Sequence, residues 1–168
     1  MNHDEVTIIL NLMRVNWPNM LKGDKALQHA ILLWTLCLHN VPFNIAQLAL
    51  FEVCKTCKYP PSICDFKTAA DAIENSISVE AENAYRNLRW GIIRLEANGA
   101  TQAEIYESLP PKTRSALTNI GGLSAFAFEN NGRLLYHDFI NEYMVVERSA
   151  RLRALPSAPP AGTKVTLN

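Results

Sequence analysis

Three of the four cysteines lie close together in the sequence CKTCKYPPSIC, residues 54–64. Cys54 and Cys57 have the spacing of a zinc-binding or redox pair. A zinc site needs four ligands, which usually come as two close pairs. Cys64 could be a third ligand, but no second CxxC and no HxxxH follows it. We therefore expect no metal at this cluster.

The element that carries the cysteines gives them a different role. Ala46, Leu50, Val53, Cys54 and Cys57 fall at i, i+4, i+7, i+8 and i+11, which is one face of a helix. Free cysteine behaves as a small hydrophobic residue and is often buried. The cysteines therefore continue an apolar stripe, and we expect them to pack in a core as reduced thiols.

Composition limits the class of protein. The 168 residues are 48% hydrophobic and 19% charged, which is enough apolar material for a core. Sixteen basic residues balance sixteen acidic ones, so no net charge draws the chain to DNA or to an anionic membrane. The start, MNHDEV, does not resemble a signal peptide, and the most apolar run, residues 30–38, is too short for a bilayer. We expect a cytoplasmic protein without a membrane partner.

Helical periodicity runs through the first half of the chain. Val6, Ile9, Leu10, Met13 and Trp17 share one helix face. A second helix, capped by the aspartate at 24 and apolar nearly all round, is expected to be buried on several sides. A third helix has the proline at 42 in its first turn, and a serine and an aspartate at 62 and 65 form a capping box for the fourth. A break in NSIS, residues 75–78, ends this region.

The second half predicts further helices. One is capped by Ser78 and runs to about Gly99, two shorter ones cover residues 102–109 and 112–120, and a short apolar piece follows Gly121 and Gly122. A turn is predicted at 130–132. The last helix has its apolar side made of Leu135, Phe139, Tyr143, Val146 and Ala150. The predicted class is all-α, with an N-terminal four-helix domain (1–75), a C-terminal helical region (78–152) and a disordered tail (153–168).

Catalytic patterns are not present in this sequence. It contains no GxxxxGK[ST] phosphate loop, no HExxH and no GxSxG. We therefore expect neither enzymatic activity nor a cofactor.

Residues 101–120 permit an alternative function. They can be interpreted as helix, turn and helix, with Lys112 and Arg114 opening a recognition helix. Helix-turn-helix units have a tight turn that often contains glycine, whereas this one contains two prolines. The alternative function is a DNA-binding accessory or repressor protein.

The order of these landmarks resembles a known family. A helix ending in WPN, a proline-led helix ending in YPPSI, a long amphipathic helix, an ALxxIGG element and a closing FxxxY helix follow one another. This order is similar to that of the phage-encoded replicative helicase loaders and inhibitors, over about residues 1–152. The matching residues are Trp17, Pro18, Asn19, Pro42, Tyr59, Pro60, Pro61, Ser62, Ile63, Ala116, Leu117, Ile120, Gly121, Gly122, Phe139 and Tyr143.

The resemblance implies a non-enzymatic adaptor. Such a protein binds a hexameric DnaB-type helicase, restrains it and helps to load it onto origin DNA with an initiator partner. Its own contact with nucleic acid would be weak or indirect, and its location would be the host cytoplasm. A third hypothesis is an inhibitor that binds the helicase but never loads it.

The predicted partner-binding residues lie at the end of the last helix. Arg148, Arg151, Leu152 and Leu155 recur at helical spacing just before the predicted disorder. Arginine and large apolar side chains commonly anchor interfaces, and a helix end can extend when a partner covers it. The other helices are expected to bury most of their large apolar residues internally.

Overall fold

The computed structural model describes residues 1–128 and 135–156, and all regular secondary structure in these ranges is helical, which confirms the all-α class. The predicted turn at 130–132 and the predicted disorder of 157–168 fall outside the described residues. The helices are α1 His3–Asn16, α2 Asp24–Leu38, α3 Phe43–Thr56, α4 Ile63–Ala97, α5 Gln102–Ser108, α6 Pro111–Asn119, α7 Gly122–Phe128 and α8 Tyr136–Arg153.

Helix α1 forms as the periodicity predicts. Its inner face is fully buried, and the ring of Trp17 covers its end. Asn2 and Glu5 form a capping box at its start. The amino group of Met1 donates to the carbonyl oxygens of Leu38, His39 and Val41 at 2.8–3.0 Å. These bonds fix the start of α1 to the turn between α2 and α3.

Two predictions about α2 are wrong. Gly23 is its N-cap, with φ +86°, and Asp24 is the first helical residue and makes no side-chain cap hydrogen bond. The helix is also not buried on several sides, because Leu32, Leu33 and Leu36 are each more than half exposed. Only the opposite face, with Ile31, Trp34 and Leu38, enters the core.

Helix α4 contradicts the predicted break at residues 75–78. The helix begins at the predicted capping box of Ser62 and Asp65 and continues for 35 residues without interruption. Serine and asparagine are weak helix formers, but tertiary packing overrides that preference. Ile77 is fully buried one turn before the equally buried Ala81, so core packing fixes both sides of the predicted break.

Two hydrophobic cores share this helix. The first contains the inner faces of α1, α2 and α3 and α4 as far as Ile77. The second begins at Ala81 and contains buried residues of α5, α6, α7 and α8. The cores therefore divide near the predicted domain boundary, although a continuous helix, and not a joint, crosses it. The domain bounds themselves stay a prediction.

Helix α8 packs against α3, α4 and α6 and contacts both cores. Phe139 and Tyr143 are buried as predicted, but the next buried residue on this face is Glu147 and not Val146. The helix continues to Arg153, and Leu155 packs against the first core. The predicted tail therefore begins too early, because residues 153–155 are part of the packed structure.

Candidate partner-binding surfaces

The predicted partner-binding arginines contact α4. Arg148, whose side chain is 16% exposed, forms an ion pair with Glu74. Arg151 donates from Nη2 to the Ser76 hydroxyl at 3.1 Å and forms an ion pair with Glu80. Both guanidinium groups therefore bind the outer side of α4 in this conformation.

The two predicted leucines lie beside the first core. Leu152 and Leu155 are partly buried and pack against it. Leu155 also lines a shallow cavity of about 230 Å³, whose other walls include Leu48, Phe51 and Ile73. The structure thus brings all four predicted residues together on one segment, and each of them already has contacts within the chain.

Glu147 is a buried carboxylate that the sequence did not indicate. Its side chain is 3% exposed, and it pairs with Lys112 of α6 and, at 2.9 Å, with Nε of Arg151. Burial alone would raise the pKa of Glu147, but the hydrogen bonds from Lys112 and Arg151 outweigh this and lower it. The same pairing raises the pKa of Lys112. Glu147 therefore stays ionised and connects α6, α8 and, through Arg151, α4.

Helices α1 and α2 expose apolar side chains away from the core. Ile8, Leu12 and Val15 lie on one stripe of α1, with exposed fractions of 48%, 47% and 79%. The leucines at 32, 33 and 36 form the corresponding stripe of α2. Sequence reasoning placed the large apolar residues of these helices inside, and this expectation is wrong for both outer faces.

A second exposed surface lies on the outer side of α4. Trp90 is 68% exposed and Ile93 is 38% exposed. Arg86 and Arg94 are exposed on the same stripe, four residues before and after the tryptophan. The sequence shows the arginines, but an exposed tryptophan is not predictable from a helix whose apolar spacing fits burial.

The cysteines pack as the helical stripe predicts. Cys54 and Cys57 are partly buried against the first core, whereas Cys37 and Cys64 are exposed. Burial raises the pKa of the Cys54 thiol, with a further contribution from Cys57. Within the described ranges, no three histidine, cysteine, aspartate or glutamate side chains come together as a metal site.

Replacing Cys54 with alanine is expected to lower the free energy of unfolding by about 1 kcal/mol, because a half-buried sulfur leaves the core. Cys37→Ala is the control and should change it by less than about 0.5 kcal/mol, since that side chain is exposed. Urea unfolding measures both. Elemental analysis should find no stoichiometric zinc, and one tightly bound zinc per chain would contradict the packing interpretation.

The cations of the helix-turn-helix alternative are engaged within the chain. Lys112 pairs with Glu147, and Arg114 pairs with Glu107 at 2.8 Å. The guanidinium of Arg114 also lies 6.0 Å from the ring centre of Tyr106. Phosphate contacts would have to replace these ion pairs, so the geometry of α5 and α6 does not favour the DNA-binding alternative.

No single helix in the described part of the chain is long and apolar enough to cross a membrane. Helices α2 and α3 reach the required length and composition only as a pair, and the pair is bent by 115°.

Comparison with known proteins relates the first part of the chain to a family. Residues 1–67 match the family described as the N-terminal domain of the phage gene-39 protein, a helicase loader and inhibitor. The matched segment contains α1, α2 and α3 and the first residues of α4, which supply most of the first core. No curated protein and no solved structure matches the chain. The N-terminal segment is thus similar to the corresponding domain of a phage protein that loads and inhibits a helicase.

Proposed function

We propose that this chain is a non-enzymatic phage replication adaptor that binds a hexameric DnaB-type replicative helicase, restrains it and helps to load it onto origin DNA. The observation that carries this proposal is the match of residues 1–67 to the N-terminal domain of a phage helicase loader and inhibitor. A phage replication role also places the protein in the host cytoplasm.

The architecture supports an adaptor. One continuous helix, α4, contributes to two separate cores, so the two halves of the molecule present their surfaces on a common rod. Exposed apolar side chains on α1 and α2 lie within the matched segment and provide anchors of the kind that protein partners bury.

The helicase contact is proposed at the end of α8, through Arg148, Arg151, Leu152 and Leu155. Contact through the arginines would exchange their bonds to Glu74 and Glu80 for bonds to the helicase. Such an exchange keeps the net affinity modest, which suits a protein that must release its partner. The proposed origin-binding initiator would act on the resulting complex.

The first experiment addresses the function. Purified protein is added to the replicative helicase of the phage or its host, and complex formation, unwinding and loading onto a single-stranded origin template with the initiator are measured. Binding, slower unwinding and initiator-dependent loading would support the proposal. Binding and slower unwinding without loading would favour the inhibitor that never loads, and no binding would contradict both.

The second experiment addresses the contact residues. Truncation after Val146 is expected to weaken helicase binding, but it also removes the buried Glu147. The double variant Leu152→Ala and Leu155→Ala is therefore a cleaner test. We expect helicase binding to weaken about tenfold, which corresponds to about 1.4 kcal/mol, with helicity preserved in circular dichroism.

Two matched comparisons complete this test. Val145→Ala removes a half-exposed apolar side chain from the same helix and should leave binding unchanged. Leu33→Ser with Leu36→Ser changes the exposed face of α2. Loss of binding in the α2 variant alone would move the helicase contact to α2 and contradict the proposed residues, while the proposed function would stand.

A further inference from the structure

The outer stripe of α4 combines an exposed tryptophan with cations. Trp90 lies between Arg86 and Arg94 at spacings of four residues, and all three side chains are exposed. A rise of 1.5 Å per residue separates each arginine from the tryptophan by about 6 Å along the helix axis. Cation, aromatic ring and cation therefore follow one another on a single line.

The charge of this stripe is uniform. Residues 83–95 contain three arginines and no acidic residue, in a chain whose formal net charge is zero. Arg86 and Arg94 form no ion pair or hydrogen bond among the described residues, so their guanidinium groups face solvent. Arg89 lies beside the ring of Tyr85, 5.8 Å from its centre.

The faces of the indole ring are accessible. Trp90 lines a groove of about 240 Å³ on the side of Arg86 and Ile93, and another of about 430 Å³ on the side of Arg94. A Cβ added at Gly91 would meet no atom within 4 Å, so the space beside the ring is open. A flat ligand can therefore stack on the tryptophan.

We propose that this stripe, defined by Arg86, Trp90 and Arg94, binds single-stranded nucleic acid. A base stacks on Trp90, and the phosphates on either side of it contact the two arginines. Asn87 lies on the same stripe and adds a hydrogen-bonding group. This inference does not depend on the proposed helicase contact.

The shape of the surface favours a nucleic acid over an acidic protein. Ile93 is the single other large apolar side chain exposed among residues 83–97, so the apolar area is small for a stable protein interface. Sequence-independent binding of a single strand needs only a stacking ring and a path of cations, which the stripe provides. Duplex DNA does not offer an unstacked base and should bind less well.

Intrinsic fluorescence tests the proposal on the full chain. Trp17 and Trp34 are 8% and 5% exposed, so quenching by an added oligonucleotide reports on Trp90. An oligothymidylate of roughly 16 nucleotides is titrated at low salt. We expect saturable quenching whose affinity falls with salt, with a slope on the order of −1.4 for two phosphate contacts.

Variants followed by anisotropy of a labelled oligothymidylate identify the contacts. Trp90→Ala should weaken binding roughly tenfold or more, and Trp90→Phe should restore part of the affinity. Arg86→Ala and Arg94→Ala should each reduce the salt slope by about 0.7. The controls are Tyr59→Ala, which removes another exposed aromatic ring, and Lys25→Ala, which removes an exposed cation elsewhere.

The controls should bind the oligonucleotide as the unmodified protein does. The proposal is overturned by the absence of saturable quenching, by unchanged affinity in Trp90→Ala, or by equal competition from duplex DNA. Quenching by polyglutamate but not by oligothymidylate would also overturn it, because it would assign the surface to an acidic polypeptide.

Discussion

Replacing Glu147 with alanine is expected to lower the free energy of unfolding by about 3 kcal/mol. The carboxylate is buried and pairs with cations from two helices, so its removal leaves Lys112 and Arg151 without their shared partner. Removal of one member of a buried ion pair typically costs about 3–5 kcal/mol. We expect the lower end of that range, because both cations retain access to solvent.

The pH dependence of this effect has a defined sign. The ion pairs lower the pKa of Glu147 from its ordinary value of 4.5. A group with a depressed folded pKa contributes its full stability above the unfolded value and loses it as the pH falls through the folded value. The difference in unfolding free energy between the unmodified protein and Glu147→Gln should therefore be constant near neutral pH and shrink below pH 4.5.

A matched control separates burial from charge. Glu142 lies on the same helix in an exposed hydrogen bond with Asn119, and Glu142→Gln should change the stability by less than about 0.5 kcal/mol. A double-mutant cycle with Glu147→Gln and Lys112→Met should give a coupling energy of at least about 0.5 kcal/mol. Additive effects, or a pH-independent loss in Glu147→Gln, would contradict the ion-pair interpretation.

The buried glutamate also shows where sequence reasoning stops. Periodicity placed Phe139 and Tyr143 on the inner face of α8, and both are buried. It then selected Val146, because a glutamate at the next position of the stripe is assigned to solvent. Its burial depends on Lys112, which is 35 positions earlier in the sequence, and no local pattern reports a pairing at that separation.

The outer faces of α1 and α2 are a second example. Nearly continuous apolar composition in α2 indicates burial on several sides, yet burial requires elements on each side to cover the helix. Among the described elements, α2 packs against α1 and α4, and its leucines at 32, 33 and 36 remain exposed. Composition gives the hydrophobicity of a face, whereas topology decides whether another element covers it.

Local signals were sufficient where the controlling contact was local. The capping box of Ser62 and Asp65 is a contact over three residues, and it forms as predicted. The cysteines pack because their positions on α3 follow from the period of the helix. The predicted break in NSIS is wrong because weak helix propensity is local, while the packing of Ile77 is not.

The division of the molecule into two cores bears on function. The match to the N-terminal domain of the helicase loader and inhibitor ends at residue 67, so it covers most of the first core and none of the second. The second core, the ion pairs of α8 and the Trp90 stripe all depend on α4 beyond that point. The continuity of α4 therefore decides whether the two cores act as one body.

Val79→Pro is expected to lower the free energy of unfolding by about 3 kcal/mol or more, because proline removes a helical hydrogen bond and clashes with the carbonyl of the preceding turn. Val79 is 59% exposed, so little side-chain packing is lost, and Val79→Ala is the matched control with an expected change below about 0.5 kcal/mol.

The same substitution separates the observed helix from the predicted break. If α4 ended before Ser78 and a new helix began with Ser78 as its cap, residue 79 would be the first helical position, where proline is favoured. In the continuous helix it lies between Ile77 of the first core and Ala81 of the second, so a kink there displaces both. Urea unfolding monitored by circular dichroism measures the effect. Equal stability of the proline and alanine variants would show that the helix is interrupted and that the two cores are joined by a hinge.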